Sequence, residues 1–62
     1  MKISSYLKLT GKSVIYAAIE LDISRQRIYQ LMNGDTASPK LAQKIEEWSE
    51  GAIQREELLY PD

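Results

Sequence analysis

The sequence predicts an all-α fold of five short helices, and three observations carry that expectation. Glycine and proline divide the chain into short segments, each with apolar residues at the i, i+3, i+4 spacing of one helix face. Serines stand just ahead of three of these segments, where a side-chain oxygen can cap a helix. No stretch alternates apolar and polar residues as a half-buried strand does.

The first helix is expected over Ile3 to Leu9, with Ile3, Tyr6, Leu7 and Thr10 on one face and Gly11 as its breaker. Ser13 can cap the second, Val14 to Leu21, in which Val14, Ala17, Ala18 and Leu21 share a face. Ser24 can cap the third, Arg25 to Asn33, which Gly34 closes. The loop Asp35 to Ala37 follows. Ser38 as cap and Pro39 in the first helical position begin the fourth, with Leu41, Ala42, Ile45 and Trp48 as its apolar stripe and Gly51 at its end. A last turn runs roughly from Gln54 to Leu59 and stops before Pro61. Its acids, Glu56 and Glu57, stand near the positive end of the helix dipole.

At 62 residues the chain is expected to form a single domain, residues 1–62, with a modest core. It has no cysteine, so no disulfide or thiolate site adds to that core. It has no histidine, which removes the usual zinc ligands and the commonest general base. No apolar run reaches the length of a membrane span, and no signal-peptide pattern opens the chain, so a cytoplasmic protein is expected. One small core leaves little room for a dry pocket. Neither catalysis nor a cofactor, a metal or a small-molecule ligand is expected.

The net charge of −1 conceals a strong asymmetry. Residues 1–44 hold seven Lys and Arg against three Asp and Glu, whereas residues 45–62 hold one against six. Such a split points to a polyanion-binding face in the first part and an acidic segment turned away from it.

The informative stretch is Val14 to Gly34. Ala18 stands where two helices must approach closely, Leu21 and Ile23 flank a tight turn, and Ile28 and Leu31 pin the helix that follows. Two short helices joined by such a turn form a helix-turn-helix, whose second helix enters the major groove of DNA. At about 100° per residue, Arg25, Gln26, Tyr29, Gln30 and Asn33 fall within an arc of about 140°. Ile28 and Leu31 lie on the other side. Arginine forks onto guanine O6 and N7, glutamine pairs with adenine N6 and N7, and tyrosine can bond a phosphate or pack on a thymine methyl. Arg25, Gln26, Tyr29 and Gln30 are therefore the expected base-reading residues. The Gly-Lys-Ser of residues 11–13 is not a nucleotide loop: that loop needs a glycine at position 6, which is Tyr6, and a preceding strand. Gly11, Lys12 and Ser13 are better read as a loop glycine, a surface lysine and a helix cap able to hold a DNA phosphate.

The segments "AAIELDISRQRIYQLMNG" and "SPKLAQKIEEWSEGAIQREELLYPD" resemble the small Cro-type phage repressors and the related Cro/YdaS-like helix-turn-helix regulators. The second matches the family's tail: an Ile-Glu, a Gly-Ala-Ile, a Glu-Glu-Leu and a closing Pro-Asp. The resemblance covers about residues 10 to 62. It implies a lambda-repressor-like all-helical domain that represses transcription by binding double-stranded operator DNA as a dimer. It places base reading on Arg25, Gln26, Tyr29 and Gln30. It places phosphate contacts on the starts of the second and third helices, here Lys12 with Ser13 and Ser24, and on Asn33. Arg27 and Lys40 are further expected phosphate contacts, and Lys12, Arg27, Lys40 and Lys44 together would provide electrostatic attraction.

The chain departs from the family in four places. Asp22 replaces the usual turn glycine, and aspartate tolerates a left-handed conformation better than most residues. Val14 stands where the family often has a DNA-holding glutamine. Gly11 lies one residue early. Ile15, Tyr16 and Ile19 are apolar where polar residues are usual. The first helix or the C-terminal turn is expected to cover them, and the alternative is a protein-binding surface. Trp48 is expected in the core, and Leu58, Leu59 and Tyr60 either cover the core or pair subunits.

The expected function is sequence-specific repression through an inverted-repeat site, by a weak homodimer stabilised on DNA. The rival is an antitoxin-like interaction module that binds a protein through its acidic tail or apolar strip, with or without DNA. A further rival is an accessory factor that bends DNA.

Overall fold

Three serines set the start of three helices. The Ser13 hydroxyl accepts from the Tyr16 N–H at 3.1 Å, Ser24 from the Arg27 N–H at 3.1 Å, and Ser38 from the Leu41 N–H at 3.2 Å. Each satisfies one N–H that has no partner within its helix, worth about 1 kcal/mol against alanine. The computed structural model describes residues 1–60, and Pro61, the expected stop of the last helix, lies outside the described residues.

The described chain is all-helical, with α1 Ile3–Thr10, α2 Val14–Leu21, α3 Arg25–Met32, α4 Pro39–Trp48 and α5 Arg55–Leu59. Four ends differ from expectation. α1 runs to Thr10 rather than Leu9, and α5 begins at Arg55 rather than Gln54. α3 stops one residue early, so Asn33 is its C-cap, with φ −89°. α4 stops at Trp48, well before Gly51, because Ser49 leaves the helix and Glu50 and Gly51 both take positive φ. The Ser49 side chain is the reason: buried, its hydroxyl accepts from the Ile53 N–H at 2.9 Å and donates to the Glu46 carbonyl at 3.1 Å. That closed loop turns the chain back and delivers Ile53 into the core.

α1 packs against α3, α2 against α3 and α4, and α5 against α4. Ala42, Ile45 and Ile53 are wholly buried at the centre, with Ile28 and Ala17 beside them. The loop between α3 and α4 is held from below: Ala37 is buried and its N–H donates to the Leu58 carbonyl at 2.9 Å. α5 is fixed by charge at both faces. The Glu57 carboxylate accepts from the Gln54 N–H at 3.0 Å and pairs with the Met1 ammonium at 2.6 Å. Glu46 takes the Arg55 N–H at 3.1 Å and its guanidinium at 2.8 Å.

The α2–α3 turn spans three residues, Asp22, Ile23 and Ser24. Asp22 takes the left-handed conformation, φ 57° and ψ 44°, and its N–H reaches the Ala18 and Ile19 carbonyls. Ala18 is buried, and its carbonyl also accepts from the Ile23 N–H at 3.1 Å. At 6% exposure its side chain lies beside the turn into α3. Ala18→Leu is expected to cost about 1–3 kcal/mol by overpacking. A thermal melt of that variant matching the wild type would show that the α2–α3 contact is misplaced.

Two packing expectations are corrected. Ile15, Tyr16 and Ile19 are not covered: they are 53%, 49% and 72% exposed. α1 packs on α3, with Tyr6 against Trp48 of α4, and α5 packs on α4, which leaves the outer face of α2 open. Trp48 lies at the rim of the core and not inside it. Its ring meets Tyr6 edge-on at 5.2 Å, and its indole N–H donates to the Glu20 carboxylate at 2.8 Å. The Lys12 ammonium sits 4.9 Å from the Trp48 ring, 5.7 Å from Tyr16 and 5.9 Å from Tyr6, and 3.6 Å from the Glu20 carboxylate. An indole N–H needs an acceptor, which the core centre does not offer.

The Trp48 indole, with smaller help from Tyr16 and Lys12, holds the Glu20 carboxyl below its ordinary value of 4.5, while partial burial opposes the shift. A lowered carboxylate stabilises the fold above its unfolded value, and that contribution is lost as pH falls through the folded value. Trp48 emission is therefore expected to change in an acid titration as pH falls below the ordinary glutamate value. Glu20→Gln should remove that transition while acid-induced changes at Glu46 and Glu57 persist. An unchanged transition in the variant would show that Glu20 does not couple to the indole.

Candidate nucleic-acid interface

α3 is anchored by two side chains. Ile28 and Leu31 are buried at 1% and 7% exposure, and Ser24 caps the N-terminal end. Every other residue of the helix is polar except Tyr29 and Met32, and none is acidic. The outer arc expected from the helix period is exposed: Arg25, Gln26, Tyr29, Gln30 and Asn33 all face solvent. Tyr29 leaves 52% of its surface open, unusual for a tyrosine with a core beneath it.

The residues of the arc differ in how they are held. Arg25 and Gln26 make no side-chain hydrogen bond or ion pair among the described residues. Arg25 borders a shallow depression formed with Ile15, Ile19, Ile23 and Ser24. Gln30 accepts from Arg27 at 3.4 Å. Asn33, expected inside the helix as a phosphate contact, is at its C-cap, where its N–H reaches the carbonyls of Tyr29, Gln30 and Leu31. Its side chain is at the far end of the helix from Ser24.

The remaining phosphate candidates and attracting cations fall into three groups. Ser13 and Ser24 stand at the starts of α2 and α3, with their oxygens engaged as caps and the first N–H groups of each helix pointing outward. Lys40 is exposed in the first turn of α4, and Lys44 lies one turn on. Lys12 and Arg27 are engaged within the chain. Lys12 is held in the Tyr6–Tyr16–Trp48 cluster beside Glu20, so a phosphate would have to draw it away. Arg27 clamps the loop after α3: its guanidinium donates to the Thr36 carbonyl at 2.8 Å and lies 3.9 Å from the Asp35 carboxylate. Most of these engagements join residues four to nine positions apart across a turn, where helix period does not announce them. Glu20 was likewise invisible to the motif analysis, because its partner Trp48 is 28 positions away.

Among the described residues no three of His, Cys, Asp or Glu gather as metal ligands would, and no helix is long and apolar enough to cross a membrane. The chain matches no family model, no curated protein and no solved structure.

Proposed function

We propose that this chain is a sequence-specific, double-stranded DNA-binding repressor of Cro type, with α3 lying in the major groove. The observation that carries this reading is the construction of α3. It is an acid-free helix, pinned by Ile28 and Leu31, that turns Arg25, Gln26, Tyr29 and Gln30 to solvent together. A helix face with no partner normally carries Glu and Lys. This one carries the side chains that pair with base edges. Lys40, Lys44 and the N-terminal ends of α2 and α3 would hold the backbone, and the acidic residues of α4 and α5 would face away from it.

One copy measures 25 × 21 × 18 Å, shorter than the ~34 Å between half-site centres one helical turn apart. Two copies on an inverted repeat are therefore proposed, paired weakly in free solution and linked through DNA. Titrating affinity for duplex DNA against salt tests the reading. Log affinity should fall against log salt with a slope of about −0.9 for each phosphate neutralised. A protein with no affinity for duplex at low salt would refute it.

The exposed Ile15, Tyr16 and Ile19 support a second reading, an antitoxin-like or accessory module that docks a protein on α2. Such a module can also bind DNA, and only the absence of duplex binding would favour it outright.

A further inference from the structure

The outer face of α2 is apolar and, locally, neutral. Ile15, Tyr16 and Ile19 are exposed on it. Ile15 and Ile19 continue with Ile23 into the shallow depression at whose edge stand Asp22 and Arg25. These two charges of opposite sign are not paired with each other, and neither side chain is in an ion pair or hydrogen bond among the described residues. The other charges nearby in the chain are matched: Lys12 lies 3.6 Å from Glu20, and Arg27 3.9 Å from Asp35. The positive excess of residues 1–44 therefore rests on Lys2 and Lys8 at α1 and on Lys40 and Lys44 in α4. A patch with an apolar centre and one free charge of each sign is complementary to itself about a twofold axis, where residue i meets j and j meets i. The net charge of −1 leaves little repulsion between whole copies.

We propose that two free copies of this chain pair through the outer face of α2. Ile15, Ile19 and Ile23 meet their counterparts, and Arg25 of each copy meets Asp22 of the other. The face is small. A stable interface takes about 800 Å² and roughly 20–30 residues from each partner, which this strip does not approach. The pair is correspondingly weak, with a dissociation constant on the order of 0.1–1 mM. Its consequence rests on the DNA-binding reading above, although the pairing itself does not. Both Arg25 guanidiniums lie inside one interface, whereas half-site centres one helical turn apart are ~34 Å from each other. Self-pairing and base reading thus compete for Arg25. The free pair is a masked form of the protein, and the two copies on an inverted repeat are brought together by DNA and not by this face.

Sedimentation equilibrium of the intact chain from about 10 μM to about 1 mM tests the pairing. The wild type should be monomeric at the lower end and move toward twice the mass at the upper. Ile19→Lys, at an exposed position, should stay monomeric throughout. Arg25→Glu and Asp22→Lys should each be monomeric alone, because like charges then face each other across the axis. Mixed one to one they should pair, since the swap restores both opposite-sign contacts. Ile19→Lys leaves the turn untouched and keeps the test readable if lysine does not fold into the left-handed backbone of Asp22. A wild type that is monomeric throughout overturns the proposal and leaves the face to a different protein. Ile19→Lys that associates like the wild type overturns it too, as does a folded charge-swapped mixture that stays monomeric. Ile19→Cys tests the masking, because the chain has no other cysteine. Its disulfide-linked dimer, formed with glutathione disulfide, should lose preference for an enriched inverted repeat at least tenfold and regain it on reduction. A linked dimer that binds as tightly as the reduced chain overturns the masking. A reduced chain that binds no duplex overturns the functional reading beneath it and leaves the pairing standing.

Discussion

Ile28→Ala is expected to remove about 2–5 kcal/mol of stability and to abolish DNA binding with it. The side chain is 1% exposed and lies against the fully buried centre formed by Ala42, Ile45 and Ile53. Truncation leaves a cavity that short helices tied by tight turns cannot collapse around. A chain of this size has roughly 3–9 kcal/mol in total to lose. The effect falls hardest on α3, because Ile28 and Leu31 are its buried residues. Thermal unfolding followed by circular dichroism measures it, with Leu41→Ala, at a half-buried position of α4, as the mild comparison. Equal losses in the two variants would mean that α3 is not held through Ile28.

Arg25→Ala is expected to weaken binding to the preferred duplex by about 1–3 kcal/mol and to relax preference at one base pair. Arg25 is exposed at the first position of α3, beside the capping Ser24, and nothing in the described chain competes for its guanidinium. Both guanidinium edges are therefore free to fork onto guanine. Lys40→Ala should behave differently. A point charge on a phosphate carries no base information, so its loss should weaken every sequence alike and reduce the salt slope by about one unit. Affinities of both variants for preferred and scrambled duplexes at several salt concentrations separate the two effects. Parallel losses on all duplexes for Arg25→Ala would rule out base reading by that residue.

Much of the fold was legible because its signals are local. Serine caps, breaker residues and the spacing of Val14, Ala17, Ala18 and Leu21 each act within one or two helical turns, and all five helices follow from them. The outer arc of α3 was legible for the same reason, since helix period alone decides which side chains share its face. What remained hidden depends on contacts that neither helix period nor a cap or breaker pattern encodes. Ser49 turns the chain by accepting from the Ile53 N–H only four positions on. Ala37 reads as loop until Leu58 supplies an acceptor for its N–H. Lys12 and Arg27 read as free cations, yet one is caged by three aromatic rings and the other holds a backbone carbonyl. The apolar strip on α2 shows the opposite error. Its pattern suggested a cover, but the two helices that might supply one spend their apolar faces on α3 and α4.

Selection of binding sites from random duplex DNA tests the central claim most directly. A base-reading α3 predicts enrichment of an inverted repeat whose half-site centres lie about one helical turn apart, ~34 Å. The enriched duplex should bind two chains, at least about 1,000-fold tighter than a scrambled duplex at the same salt. Failure to enrich any sequence, or equal affinity for enriched and scrambled duplexes, would contradict base reading by Arg25, Gln26, Tyr29 and Gln30.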